Sequence, residues 1–102
     1  MKREIRLSKR AMTKLDSLLV YLEEKWSTQV KHDFVQKLDK SLNQIQKLPD
    51  SFPESEKIKG LRKCVVTKQT SVFYKYSEKN VDVVAIFDNR QNPKTLKKET
   101  KE

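Results

Sequence analysis

Residues 11–49 read AMTKLDSLLVYLEEKWSTQVKHDFVQKLDKSLNQIQKLP, and two apolar stripes with a break between them run through this stretch. Along the first stripe, apolar residues recur at spacings of three or four: Ala11, Leu15, Leu18, Leu22 and Trp26. Along the second the same spacing holds: Val30, Phe34, Leu38, Leu42, Ile45 and Leu48. Such spacing places apolar side chains on one face of an α-helix. The stretch therefore predicts two amphipathic helices, with Trp26 in the core.

Polar residues and a proline mark the ends of the predicted helices. Ser8 can cap the first helix, and Ser27 or Thr28 the second, because a short side-chain oxygen accepts hydrogen bonds from free backbone N–H groups. Pro49 ends the second helix, since its ring disfavours a helical conformation at the preceding residue. So few residues join the two helices that we expect an antiparallel helical hairpin.

Strand-like runs lie on both sides of the helical hairpin. Residues 3–7 precede it, and runs 61–67, 71–76 and 81–87 follow a proline-containing loop over residues 49–60. The short polar breaks between the last three runs are typical of β-hairpins. The predicted fold is α+β: an N-terminal strand, the antiparallel two-helix hairpin and a three-stranded antiparallel meander. We expect an antiparallel sheet with both helices on one face.

The composition limits both organisation and chemistry. We expect one domain over residues 1–102, with a charged tail, residues 97–102, that frays. One Cys and one His give no basis for a disulfide, a metal site or a His-based triad, so no metal and no cofactor are expected. The charged N-terminus is not a signal peptide, and no apolar run is long enough to span a bilayer. A cytoplasmic location is expected.

Three residues that invite functional interpretation are better explained by structure. His32 lies off the apolar stripe of the second helix, so we expect it to face water. Cys64 stands beside Val65 and Val66 in a strand run, which predicts a buried thiol rather than a reactive one. Phe52 is expected to anchor the loop before the second strand on the core.

The net charge is +9, from 23 basic and 14 acidic residues, which attracts polyanions or an acidic protein partner. Strand alternation puts Tyr74 and Tyr76 on one face of the third strand and Phe73 on the other. Basic side chains beside a tyrosine can hold a phosphate and stack a base. A solvated sheet edge explains the same pattern. The candidate target- or nucleic-acid-binding residues are Arg62, Lys63, Lys68, Tyr74, Arg90 and Lys94.

Several motifs, in this order, resemble the RelE/ParE superfamily of bacterial toxins. They are Trp26 at the elbow of the helical hairpin, LPDSFP (48–53), GLRK (60–63), FYKY (73–76) and IFDNRQNPKTL (86–96). The resemblance covers about residues 4–97. It implies the toxin of a type II toxin–antitoxin module of the plasmid-stabilisation type, which inhibits growth and is neutralised by a cognate antitoxin.

The superfamily has two mechanisms: RelE-type toxins cut mRNA on the ribosome, whereas ParE-type toxins bind and poison DNA gyrase. Arg62, with Lys63 beside it, and Arg90 match cations of the nuclease branch. However, Ser71 stands where that branch carries an arginine, and Leu96 stands near the place of its acid–base tyrosine or histidine. General acid–base help contributes typically 10²–10⁴-fold to such chemistry. The resemblance therefore favours the ParE-type mechanism.

Three interpretations stay open. The favoured one is a toxin that acts by binding DNA gyrase and is not an enzyme. The second is a ribosome-dependent mRNA endonuclease whose catalytic candidates are Arg62, Lys63 and Arg90. The third is an inactive relative that retains only antitoxin binding. We expect Arg90 either to tie the end of the fourth strand to Asp88 and nearby carbonyls, the favoured role, or to contact the target.

Overall fold

A computed structural model describes residues 2–89 of the 102-residue chain. Its elements, in chain order, are β1 (Glu4–Leu7), α1 (Lys9–Lys25), α2 (Thr28–Lys47), a short 3-10 turn (Pro49–Ser51), β2 (Arg62–Val65), β3 (Thr70–Tyr76) and β4 (Asn80–Asp88). The α+β class, the order of elements and the two adjacent helices are confirmed. Arg90 and Lys94 lie outside the described residues, as does the tail.

Both helices begin where the sequence predicts. The Ser8 side chain accepts a hydrogen bond from the backbone N–H of Ala11 at 3.0 Å. Ser27 accepts one from Val30 at 3.1 Å, which identifies Ser27 rather than Thr28 as the cap. The Ser8 hydroxyl also donates to the carbonyl of Val84 at 2.9 Å. This second bond fixes the start of α1 to β4.

The sheet is mixed, which corrects the prediction of a wholly antiparallel sheet. The strand order is β1-β4-β3-β2, and β2, β3 and β4 form the predicted antiparallel meander. β1, however, runs parallel to β4. The end of α2 explains this, because Arg3 and Gln46 exchange side chain-to-carbonyl hydrogen bonds beside the start of β1. The chain thus enters the meander from the end of the sheet where β1 begins, so β2 runs in the direction of β1. The chain reverses twice in the meander, and β4 therefore runs in that direction too.

The two faces of the sheet are covered differently. Both helices pack on one face, as predicted, and the residues fully buried there come from all the layers: Leu18, Leu22, Ile45, Val72, Tyr74, Val81, Val83 and Ile86. The opposite face, which we call the open face, carries a smaller cluster of Leu61, Phe73 and Ala85. Full burial of a large apolar side chain contributes roughly 1.5–3 kcal/mol, so the helix side dominates the stability.

Four single-residue predictions have an outcome in the structure. Trp26 is 59% exposed, which corrects its assignment to the core. It is the C-cap residue of α1, so it lies beyond the last turn that the helical spacing describes. His32 is exposed, Cys64 is buried, and Phe52 packs edge-on against Tyr74 with ring centres 6.4 Å apart. These last three predictions are confirmed.

Replacing Ser8 tests the link between α1 and β4. Ser8→Ala removes both the cap and the bond to Val84, so we expect the free energy of unfolding to fall by about 1–2 kcal/mol. Ser17→Ala is the matched control, because Ser17 is an exposed residue in the middle of α1 and its replacement should change stability by no more than about 0.5 kcal/mol. Urea denaturation measures both. Equal effects of the two substitutions would contradict the role of Ser8.

Candidate functional site

Two adjacent candidate residues of β2 lie on opposite faces of the sheet. Arg62 pairs with Tyr74, and Lys63 pairs with Phe73. Directly paired residues share a face. Since Tyr74 belongs to the core on the helix side and Phe73 to the cluster on the open face, Arg62 lies on the helix side and Lys63 on the open face.

Arg62 is bound to the loop that follows α2. Its Nη1 atom donates to the carbonyl of Phe52 at 2.5 Å and to that of Asp50 at 3.3 Å. Its guanidinium carbon lies 5.7 Å from the centre of the Tyr76 ring. Through these contacts Arg62 connects the loop to the edge strand of the sheet.

Tyr74 is completely buried, so the structure does not place this candidate binding residue on an accessible surface. Its hydroxyl donates to the carbonyl of Pro49 at 2.5 Å. Burial raises the pKa of Tyr74 to about 12, because the phenolate loses its hydration. The predicted face is nevertheless right: Tyr74 and Tyr76 share the helix side, and Phe73 lies on the open face. The helices and the loop cover Tyr74, while Tyr76 stays 37% exposed.

The open face contains a cavity of about 230 Å³ that brings Lys63 and Lys68 together. Lys57, from the loop before β2, also lines this cavity. The other lining residues are Val65, Gln69, Ser71, Phe73, Phe87 and Asn89. The cavity thus combines aromatic side chains with amide, hydroxyl and ammonium groups.

The end of β4 fixes the turn that carries Lys68. The backbone N–H of Asn89 donates to the carbonyl of Gln69 at 2.7 Å, and its side-chain amide donates to that of Lys68 at 3.3 Å. On the helix side, the Thr70 hydroxyl donates to the Asp88 carboxylate at 2.9 Å, with both residues fully buried. These contacts position the β2–β3 turn against the last strand.

The cavity is suited to an anion. Among residues 2–89 no carboxylate lies within salt-bridge distance of Lys57, Lys63 or Lys68; the ion pairs Arg6–Asp82 and Lys31–Glu23 lie elsewhere. Its described lining residues include no carboxylate, His or Tyr side chain. The arrangement can therefore attract and orient negative charge, and none of the described lining residues is a conventional proton donor near neutral pH.

Sequence reasoning missed Lys57, Gln69 and Asn89 as members of this cavity. Lys57 precedes β2 in an irregular loop, whose path has no periodicity that a pattern can reveal. Asn89 adjoins the candidate Arg90 in the sequence. Its position as a polar residue directly after a buried strand is the sequence feature that could have identified it. The order of the strands then decides that Asn89 lies beside Lys68.

The family comparison confirms the resemblance seen in the motifs. Residues 5–93 match a family model described as the ParE toxin of the type II toxin–antitoxin system, parDE. The chain belongs to the ParE toxin family. No curated protein sequence gives a significant match to it.

Solved toxin structures share the fold of this ParE toxin. The chromosomal ParDE TA system from P. aeruginosa aligns with a TM-score of 0.71 at 15% identity, covering 84% of this chain and 95% of that chain. The E. coli DinJ-YafQ toxin-antitoxin complex aligns at 0.53 and 20% identity, covering 88% and 96%. A copper-bound mutant toxin from Helicobacter pylori aligns at 0.56 and 15% identity, covering 86% and 96%. At these identities the likeness shows the fold alone.

The described residues of the ParE toxin offer neither a membrane-spanning helix nor a cluster of metal ligands. None of the helices between residues 2 and 89 is long and apolar enough to cross a membrane. In the same part of the chain, no three His, Cys, Asp or Glu side chains are grouped so that they could hold a metal ion.

Tyr74→Phe tests the buried hydroxyl, and we expect it to lower the free energy of unfolding at pH 7 by about 1–3 kcal/mol, because the Pro49 carbonyl loses its partner. The unfolded tyrosine titrates near pH 10 and Tyr74 in the folded ParE toxin at about 12. The unfolded state therefore releases its proton first, and the wild type loses stability as the pH rises from 10 to 12.

The variant lacks this Tyr74 contribution, so the stability difference between the two proteins should narrow over the same interval. Urea denaturation from pH 8 to 12 measures it. Tyr76→Phe serves as the control, because Tyr76 is partly exposed and its replacement should preserve the alkaline loss caused by Tyr74. A wild-type–Tyr74→Phe difference that is constant across the range would contradict the raised pKa.

Proposed function

We propose that this ParE toxin inhibits growth by binding DNA gyrase through the cavity on the open face. A cognate antitoxin neutralises it in the cytoplasm, in a module of the plasmid-stabilisation type. The family match supports the toxin part of the proposal. The proposal that the toxin binds its target here rests on one observation: three lysines, Lys57, Lys63 and Lys68, line a cavity with aromatic walls.

The open face has the composition of a protein-binding surface. Val65 is 61% exposed at the edge strand, and Phe87 is half-buried in the same cavity. An apolar centre with a charged rim is the usual anatomy of such a surface. The lysines would speed association with an acidic region of the target and fix its orientation. The helix side offers less, because α1 and α2 already cover most of it.

An mRNA endonuclease is the alternative that the same cavity must be tested against. Lys63 and Lys68 can hold an RNA phosphate as well as a carboxylate. A nuclease of this superfamily also needs proton transfer, and the described lining residues supply no conventional group for it. Arg90 and Lys94, which follow the end of β4 in the sequence, remain proposed members of the binding surface.

A timed induction of the toxin alone in a bacterial host separates these mechanisms. Labelled thymidine and labelled methionine report DNA synthesis and translation in the same culture. The proposal expects DNA synthesis to fall first while translation continues. A stop in translation within minutes, with DNA synthesis lagging, would identify a nuclease. If neither DNA synthesis nor translation falls although folded toxin is present, the chain is an inactive relative that retains only antitoxin binding.

Purified components test the proposed target directly. DNA gyrase should lose supercoiling activity on relaxed plasmid when the toxin is added. Lys63→Gln combined with Lys68→Gln should weaken this inhibition about tenfold, because two charge contacts at the cavity are lost. Lys40→Gln combined with Lys47→Gln removes the same charge from exposed positions of α2 and should leave inhibition unchanged. Equal losses in both double variants would show that only net charge matters.

Arg90→Ala separates the two roles proposed for that residue. If Arg90 ties the end of β4 to Asp88, the substitution should lower the free energy of unfolding by about 1–3 kcal/mol. Gyrase inhibition by the folded fraction should then persist. Unchanged stability together with lost inhibition would assign Arg90 to target contact instead, and an Arg90→Ala toxin that keeps both properties would exclude both roles.

A further inference from the structure

A second cationic site lies on the helix side of the sheet, away from the cavity. Arg3, before β1, and Arg62, on β2, each place a guanidinium carbon 5.7 Å from the centre of the Tyr76 ring. The two groups are therefore separated by at most twice that distance. We call Arg3, Arg62 and Tyr76 the arginine–tyrosine cluster.

Backbone carbonyls hold both guanidinium groups in place. Arg3 donates from Nε to Ser77 at 2.8 Å and from Nη1 to Gln46 at 3.5 Å. Arg62 donates from Nη1 to the loop carbonyls of Asp50 and Phe52. Because several backbone acceptors already orient these side chains, less side-chain entropy is lost when a ligand binds.

The charge and part of the donor capacity of the cluster remain available. Among residues 2–89, neither arginine lies within salt-bridge distance of a carboxylate. The hydrogen bonds within this part of the chain leave Nη2 of Arg3, and Nε and Nη2 of Arg62, without an acceptor. A guanidinium with free N–H groups binds a carboxylate through charge-assisted hydrogen bonds, which are stronger than neutral ones.

An extended protein segment can place two carboxylates within this upper limit of separation. Side chains two residues apart on a strand point to the same side and are separated by about 7 Å. Two acidic residues at positions i and i+2 can thus reach Arg3 and Arg62 together. Leu48, which is 62% exposed, lies in sequence between Gln46 and Asp50, whose carbonyls bind the two arginines. It offers an apolar contact beside the charged ones.

These features favour a peptide over a nucleic acid. Two guanidinium groups already lie near the Tyr76 ring, so a base that stacked on this ring would have to compete with both. The exposed Leu48 adds apolar surface that a phosphate backbone would not use. A protein strand with acidic and apolar side chains satisfies both parts of the site.

We propose that the arginine–tyrosine cluster docks an extended acidic segment of the antitoxin. The identity of this partner rests on the proposed function, because a toxin of this kind requires a neutralising protein. The cluster lies on the helix side and the cavity on the open face. Docking at the cluster therefore anchors the antitoxin without occupying the surface that binds the target.

A peptide titration followed by NMR tests the proposal. The probe is the capped pentapeptide Ser-Glu-Leu-Glu-Ser, with Ser-Gln-Leu-Gln-Ser and a thymidine pentanucleotide as comparisons. The acidic peptide should shift the guanidinium signals of Arg3 and Arg62 and the ring signals of Tyr76. Arg3→Gln should raise its Kd about two- to fivefold, the range of an exposed ion pair.

Lys75→Gln is the matched control, because Lys75 is the exposed neighbour of Tyr76 on β3 and projects to the open face. It removes the same charge and should leave the Kd unchanged. Tyr76→Leu is a second test that spares both arginines and should weaken peptide binding too. Thermal denaturation confirms that each variant is folded.

Three results would overturn the proposal. They are equal weakening by Arg3→Gln and Lys75→Gln, peptide-induced shifts centred on the open face, and tighter binding of the pentanucleotide than of the acidic peptide at the cluster. Growth inhibition plays no part in this titration. A toxin that fails the gyrase assay can still show the peptide site, and a negative titration leaves the gyrase proposal standing.

Discussion

The return of α2 to the start of β1 is the constraint on which the topology depends. Gln46, near the end of α2, and Arg3, beside β1, are linked there by hydrogen bonds in both directions. The meander must then begin at that end of the sheet, and its last strand runs parallel to β1. Both helices cover one face of the sheet, and the cavity lined by Lys63 and Lys68 lies on the other.

Because the two faces of the sheet differ, residues that are adjacent in the sequence contribute to different surfaces. Arg62 and Lys63 are adjacent in the sequence, yet one reaches the loop carbonyls on the helix side and the other borders the cavity. Both are half-buried, so each keeps part of its charge accessible. A short edge strand thus contributes to two separate cationic surfaces, and a substitution at one need not disturb the other.

Local features were predictable from the sequence, and those that depend on distant parts of the chain were not. The caps at Ser8 and Ser27 and the thiol at Cys64 follow from short-range patterns. The direction of β1 depends instead on where α2 ends, about 40 residues later. Strand alternation predicts the face of Tyr74 correctly, but it does not predict that the helices and the loop cover this residue. Lys57 reaches the cavity from irregular backbone, where no periodicity applies.

Two separate cationic surfaces allow one partner to bind a small toxin tightly through two contacts. Exposed charge pairs are individually weak and are screened by salt. A partner that docks at the arginine–tyrosine cluster and touches a second surface gains from effective concentration, because the second contact becomes intramolecular. The outer edge of β2 is partly covered, since Lys63 donates its backbone N–H to Pro53. A segment leaving the cluster beside Arg3 would therefore reach the open face more readily around β1.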